Sequence, residues 1–285
     1  MLLKTYYPMP KFPPISLSGA QCRLSCEHCN RAYLRGMAPA TTDAALYETC
    51  KRLADEGAIG VLLSGGSDRD GSILNLRDRV ATIRRIKAET GLILNLHPGL
   101  MDAETAEALG DVIDFASVEI PSDETIRDVF RLDATRDDYV ATYDALRAAG
   151  IRVAPHVTVY EGGEERLLEG LAPPEVVTVI VFSPTRDTPM ADVTPPSASM
   201  VGDVIRGIKA AYPTTEISLG CMRPRTRDLR VAIEVAALDA GATRMVLPSR
   251  ETLDLAEERG YEIARFDACC ALPKSLEPLA RHDEG

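Results

Sequence analysis

The segment Cys22-Arg-Leu-Ser-Cys26-Glu-His-Cys29 sets three cysteines in a CxxxCxxC spacing. It directly follows the short apolar run Ile15–Ser18. Three thiolates on one tight loop can hold three irons of a cubane cluster and leave the fourth iron without a protein ligand. That open corner suits an amino acid chelating through its amine and carboxylate. Zinc is the first competitor, because Cys and His are its usual ligands. His28, between Cys26 and Cys29, is poorly placed to join them. A ferredoxin-type run would need a fourth Cys followed by Pro, and none is present.

Four other cysteines lie elsewhere. Cys221 stands in LGCMRPR, and Cys269 and Cys270 in FDACCAL. A tail folding back could bring these three together as ligands of a second cluster, with Arg223 and Arg225 nearby as anion binders or unusual iron ligands. Buried free thiols are the plainer alternative. Cys50 falls with Leu46 and Leu53 on one helix face, which predicts core packing.

The elements that must position these groups recur as an alternation. Apolar or β-branched runs at Ile15–Ser18, Gly60–Ser64, Leu92–His97, Phe115–Ile120, Arg152–Val159, Val176–Phe182, Glu216–Leu219 and Arg244–Leu247 predict eight strands. Helical spacing fills the intervals, as at Thr42–Glu56, Leu76–Glu89, Asp138–Ala149, Ser197–Ala211, Thr226–Ala240 and Glu251–Arg259. Gly57, Gly91, Gly110, Gly150, Gly241 and Gly260 punctuate helix ends. Alternating strands and helices imply a parallel sheet. Eight such units predict an α/β chain forming a (β/α)8 TIM-type barrel, complete or nearly so, with a six-stranded partial barrel or open sheet as the alternative. The barrel would span 15–260, with an N-terminal extension at 1–14 and a C-terminal tail at 261–285. Function then belongs at the C-terminal strand ends, where the reading puts Ser64, Asn95, His97, Glu119, His156 and Cys221.

The chain has 285 residues, a quarter of them charged, and a net charge of −11. The acidic balance argues against nucleic-acid binding through a basic surface. No apolar run reaches the ~18–20 residues of a membrane helix, and prolines interrupt the N-terminus before a secretory core can form. A cytoplasmic, reducing setting is expected, where clustered cysteines point to metal or redox chemistry rather than disulfides.

The cysteine spacing resembles that of the radical S-adenosylmethionine (SAM) superfamily. The resemblance implies a [4Fe–4S] cluster on Cys22, Cys26 and Cys29 that binds and cleaves SAM. His28 stands where the family often has an aromatic residue. Ser64-Gly65-Gly66-Ser67 is similar to the family's Gly-Gly-Glu turn, with Ser67 in place of the Glu. Further SAM contacts implied by position are His28, Ser64, Gly65, Gly66, Asn95, Glu119 and His156, and His97 suits substrate or local structure equally. GCMRPR, the late CC pair, FSPTRDTPMADVTPPS and SDETIRDVFRLDAT resemble one biotin-synthase-like group, the two-component lipoyl synthases. That resemblance implies a second cluster on Cys221, Cys269 and Cys270 as sulfur source. It also implies an octanoylated carrier protein or lipoyl domain, a second radical SAM protein, and a ferredoxin or flavodoxin donor, with no nucleic acid or membrane. Another radical SAM reaction, or a non-enzymatic iron–sulfur protein, remains open.

Overall fold

A computed structural model describes residues 1–282. Eleven strands occur in chain order: β1 (Leu2–Tyr6), β2 (Pro14–Ser16), β3 (Ala38–Pro39), β4 (Gly60–Ser64), β5 (Ile93–Leu96), β6 (Phe115–Glu119), β7 (Arg152–Val159), β8 (Val176–Val181), β9 (Glu216–Leu219), β10 (Arg244–Val246) and β11 (Glu262–Phe266). The helices are α1 (Asp43–Asp55), α2 (Val80–Thr90), α3 (Ala103–Leu109), α4 (Arg136–Ala148), α5 (Ala198–Ala211), α6 (Arg227–Asp239), α7 (Arg250–Glu258) and α8 (Glu277–Ala280). The chain is therefore α/β, as the alternation predicts.

The chain divides into two compact units. One holds Met9–Val153 and Thr185–Ala191. Its strands run in the order β3-β2-β4-β5-β6, and the ladders joining β2 to β3 and β4, and β4 to β5 to β6, are parallel. The other holds Met1–Pro8, Ala154–Pro184 and the chain from Asp192 onward. Its order is β11-β1-β10-β9-β8-β7, again with parallel ladders. Parallel strands need crossovers, and the helices supply them. Strands of both units bury apolar residues, as in Leu3 and Tyr6 of β1, Val61 and Leu63 of β4, and Val177 and Val179 of β8.

Local chemistry starts the helices. Thr42, Asp102, Ser197 and Ser249 each accept the backbone N–H three residues on, capping α1, α3, α5 and α7. Of the punctuating glycines, Gly110 is the exception: its φ is −60°, an ordinary helical value. Its reason is space, since a Cβ there would stand 2.4 Å from the Ala149 carbonyl oxygen. Between β7 and β8 the chain makes only a short 3-10 turn, Glu164–Leu168.

The sequence reading missed β1, and the stretch ending at Phe266 that it took as tail is β11. Both are full sheet members: β1 lies between β10 and β11. The segments 1–14 and 261–282 thus carry framework as well as flanks.

Candidate metal centres

The three-cysteine loop begins where β2 ends. Ser16 Oγ donates to the Gly19 carbonyl and Ser18 Oγ to the Gln21 carbonyl, both at 2.7 Å, so two hydroxyls turn the chain toward Cys22. The turn after β4 then closes on it. Gly66 N donates to Ser18 Oγ at 2.7 Å, Ser67 N donates to Cys22 Sγ at 3.3 Å, and Arg23 N donates to the Ser67 carbonyl at 2.8 Å. Glycine is required at 66, because a Cβ would lie 2.0 Å from the Gln21 carbonyl oxygen and 2.6 Å from Cys22 Cβ.

A second support comes from a π-helical turn, Thr125–Phe130. Such turns recur at functional sites. Here the turn leaves carbonyls free for the loop: Glu27 N donates to Val129 O at 2.8 Å and the Cys26 thiol to Phe130 O at 3.5 Å. Arg131 Nε donates to Glu27 Oε1 at 2.9 Å. A third support is the segment 185–191. Met190 N donates to the Glu27 carbonyl, and Asn30 Nδ2 to the Asp187 carbonyl at 3.2 Å.

The electrostatics mark a site built for a cation. Burial, with the charges of Cys29 and Cys22 acting in the same direction, pushes the Cys26 thiol up to about 12. Cys29 is raised by burial too, but the amides of Tyr33, Arg31 and Ala32 converge on it and favour its thiolate. Raised thiols such as Cys26 and Cys29 become good thiolates once a cation sits among them. The donor set, the converging amides and the Ser67 N–H all fit a thiolate-held iron cluster.

His28 packs between aromatic rings, with centroids 6.0 Å from Tyr33 and 5.5 Å from Phe130. Burial pushes it down to about 4, so it is neutral at physiological pH. Its Nδ1 is buried without a hydrogen-bond partner among the described residues. Ser64 Oγ donates to the His97 carbonyl at 3.1 Å. Asn95 lies within β5 rather than at its end, wholly buried, and its Oδ1 accepts from Ser117 Oγ at 3.2 Å. Glu119 does end β6 and is half-buried. His97 follows β5 and is pushed down to about 4 by burial. His156 lies inside β7, in the other unit. Polar residues on the inner face of a strand need not end it, and this is why the expected strand ends were misplaced for Asn95 and His156.

The other unit gathers Cys221, Cys269 and Cys270. Cys221 follows β9 after Gly220, and the Cys pair follows β11. Desolvation raises the Cys221 thiol, with Cys270 next in effect, although one flank of the residue stays open to solvent. The Cys269 thiol donates to Cys270 and is pushed up. Cys270 goes the other way, down to about 7: the bond from Cys269 leads, burial opposes it, and Ser218, Arg244 and Thr178 add to it.

The arginine expected to bind an anion or iron here has other work. Arg223 is buried, and it donates to Glu234 Oε1 (2.6 Å) and to the carbonyls of Gly220 (2.7 Å), Val246 (2.7 Å) and Leu247 (3.1 Å). Its fork is spent on joining the Gly220 turn to the end of β10. Cys50 is wholly buried on α1, as its helix face predicts.

The radical SAM superfamily profile matches residues 17–167, more than half of the chain and all of the three-cysteine loop. The chain belongs to the radical SAM superfamily. Membership implies SAM and a [4Fe–4S] cluster. The chain is also 25% identical over 227 residues to biotin synthase 2 of Paracoccus denitrificans (strain Pd 1222), covering 75% of this chain and 70% of that protein. The solved structure of methylornithine synthase PylB is similar with a TM-score of 0.61, at 20% identity and over 93% of this chain and 84% of that one. The hydrogenase maturase HydG of Carboxydothermus hydrogenoformans gives 0.61 at 15% identity, over 92% and 68%. These likenesses give the fold, the α/β, TIM-type radical SAM core. The protein is a biotin-synthase-like radical SAM enzyme. Among the described residues, no helix is long and apolar enough to cross a membrane.

Proposed function

We propose that this radical SAM enzyme inserts sulfur into an octanoyl chain carried on a protein lysine, as one of two cooperating components of lipoyl cofactor synthesis. The observation that carries the reading is the second thiol trio, Cys221, Cys269 and Cys270, whose charges act on one another within one unit. Three thiols gathered in this way could hold the auxiliary cluster that a sulfur-inserting enzyme needs. Cys22, Cys26 and Cys29 would hold the SAM-binding cluster and the second trio an auxiliary one. Bound there, these groups and SAM would supply a deoxyadenosyl radical to break a C–H bond, a sulfide to form the C–S bond, and iron to take up the remaining electron.

The chain's own residues would do the rest. The amides of Ser67 and of 31–33 hold the first thiolates in place. His28, neutral and ring-packed, offers Nδ1 to a nucleoside without adding charge. Ser64, Gly65, Gly66, Asn95, Glu119 and His156 are the remaining candidate SAM contacts. The partners would be an octanoylated carrier protein or lipoyl domain, a second radical SAM protein, and a ferredoxin or flavodoxin, in the cytoplasm. The similarity to a biotin synthase favours a second reading, sulfur insertion into a small molecule.

The test is anaerobic reconstitution with iron counting, then turnover on octanoylated carrier followed by mass spectrometry. About eight irons in the wild type and about four in a Cys221→Ala/Cys269→Ala/Cys270→Ala variant are expected. Thiolated octanoyl carrier should form with the wild type alone. Two clusters with thiolation only of a small molecule would favour the second reading.

A further inference from the structure

A row of polar side chains crosses the sheet beneath the Cys269–Cys270 turn. In register, Thr178 of β8 pairs with Ser218 of β9, Ser218 with Arg244 of β10, and Arg244 with Lys4 of β1. Register partners in adjacent strands project to the same face. All four are buried: Thr178 is 1% exposed, Ser218 and Arg244 0%, and Lys4 8%. A row so polar is costly inside a sheet unless it holds something.

Arg244 holds the tail. Its Nη1 donates to the carbonyls of Cys270 (3.0 Å) and Leu272 (2.6 Å), its Nε to Glu216 (2.5 Å) and its Nη2 to Glu277 (2.8 Å). Lys4 Nζ braces both carboxylates, at 2.8 Å and 2.9 Å, and the Tyr6 hydroxyl donates to Glu277 at 2.9 Å. Only a rigid fork can serve two carbonyls and two carboxylates together; a lysine ammonium has three donors and no plane. Buried ion pairs of this kind add little stability over apolar residues of the same size, so their return is placement. The hydroxyls meet the other end of the residue. Ser218 and Thr178 lie close enough to act on the Cys270 thiol, and neither buried Oγ has a hydrogen-bond partner among the described residues, so both hydroxyls are available to its sulfur once it is a ligand.

We propose that Arg244, Ser218 and Thr178 are positioning residues that seat Cys270 as the anchored ligand of the second cluster, Arg244 through its carbonyl and the two hydroxyls through its sulfur. This rests on the second-cluster reading above. Cys269 is the less buried of the pair, and its carbonyl accepts from Leu272 N at 3.1 Å rather than from Arg244. Hydroxyl bonds to a ligand sulfur drain charge from it and favour the reduced cluster.

The experiment uses the reconstituted holoenzyme in three forms: wild type, Arg244→Lys, and Ser218→Ala/Thr178→Val. Iron is counted, and each cluster's EPR signal is followed through a reductive titration. The hydroxyl variant changes little volume, so it keeps the test open even where Arg244→Lys does not fold. It should keep both clusters and move only the second cluster's midpoint to a lower potential. Arg244→Lys should lose the second cluster and retain the first, halving the iron. An unmoved potential in the hydroxyl variant, or full iron and an unchanged signal in Arg244→Lys, overturns the inference. A wild type holding only about four irons would instead remove the second cluster itself, and the functional reading would fall first.

Discussion

Replacing Gly66 by alanine should dislodge the three-cysteine loop, and the structure sets the size of the effect. The new Cβ would start 2.0 Å from the Gln21 carbonyl oxygen and 2.8 Å from Cys22 Cα, both backbone atoms that no rotamer change can clear. To reach even 3.0 Å the two backbones must part by about 1 Å. Overpacking of this kind costs about 1–3 kcal/mol. The same displacement strains two hydrogen bonds across the gap, Gly66 N to Ser18 Oγ and Ser67 N to Cys22 Sγ, at about 1 kcal/mol each. The total is about 4 kcal/mol, which for a chain of this size lowers the apparent melting temperature by about 8–16 °C. Gly36→Ala is the control, since a Cβ there meets nothing within 4 Å and the residue follows the same loop. Both variants would be scanned at one rate alongside the wild type, and iron measured after reconstitution. Gly66→Ala should melt early and bind less iron, and Gly36→Ala should match the wild type. A Gly66→Ala protein with wild-type melting and full iron would refute the claim that Gly66 is there for backbone approach to Cys22.

Three further outcomes are expected. Burial acts to raise the wholly buried Glu234, but Ser249 and Arg223 overcome it and hold the carboxyl near about 2, below its ordinary 4.5. Its stabilisation is therefore present above pH 4.5 and lost as pH falls toward 2. Glu234→Gln should cost ~3 kcal/mol at neutral pH and flatten the acid limb of a pH-stability curve. His28 is held near about 4 against 6.5, so the unfolded chain takes up a proton that the folded one refuses, and stability should fall as pH drops from 6.5 to 4. His28→Phe should remove one proton's worth of that slope in denaturant titrations at a series of pH values. Cys50→Ala should cost about 1 kcal/mol in the same titrations yet leave the iron content unchanged, because Cys50 packs in the core of α1.

The first cysteine trio was legible because its meaning is local: spacing alone puts three thiols on one loop. The alternation of β-branched runs and amphipathic stretches was legible for the same reason, as were most of the helix-ending glycines. What stayed hidden depends on partners far along the chain. Leu2–Tyr6 is a five-residue strand in a proline-rich N-terminus, and only its pairing with β10 and β11 identifies it. The π-turn at Thr125–Phe130 carries no period that a sequence can display. Arg223 looked available because Met222, Pro224 and Arg225 around it offer no carboxylate, whereas its partners Glu234 and Val246 lie 11 and 23 residues away.

The two trios are supported by different physics, and the difference fits different duties. Cys22, Cys26 and Cys29 sit on a loop gripped through backbone groups: the Ser67 amide, the Val129 and Phe130 carbonyls, and the amides of 31–33. Backbone dipoles are fixed in place and carry no net charge, so they orient thiolates without deciding how much charge the site holds. The Cys269–Cys270 turn is gripped instead by ion pairs. Lys4 and Arg244 stand against Glu216 and Glu277, with the arginine nearly sealed from solvent. Breaking one member of such a set leaves an unpaired buried charge, a cost of about 3–5 kcal/mol. The turn therefore cannot drift by small steps; it is seated or it is lost. A loop that must admit a cofactor tolerates the first kind of grip. Under the proposed sulfur-insertion reading, a turn that holds a cluster while it is stripped of sulfide and rebuilt requires the second.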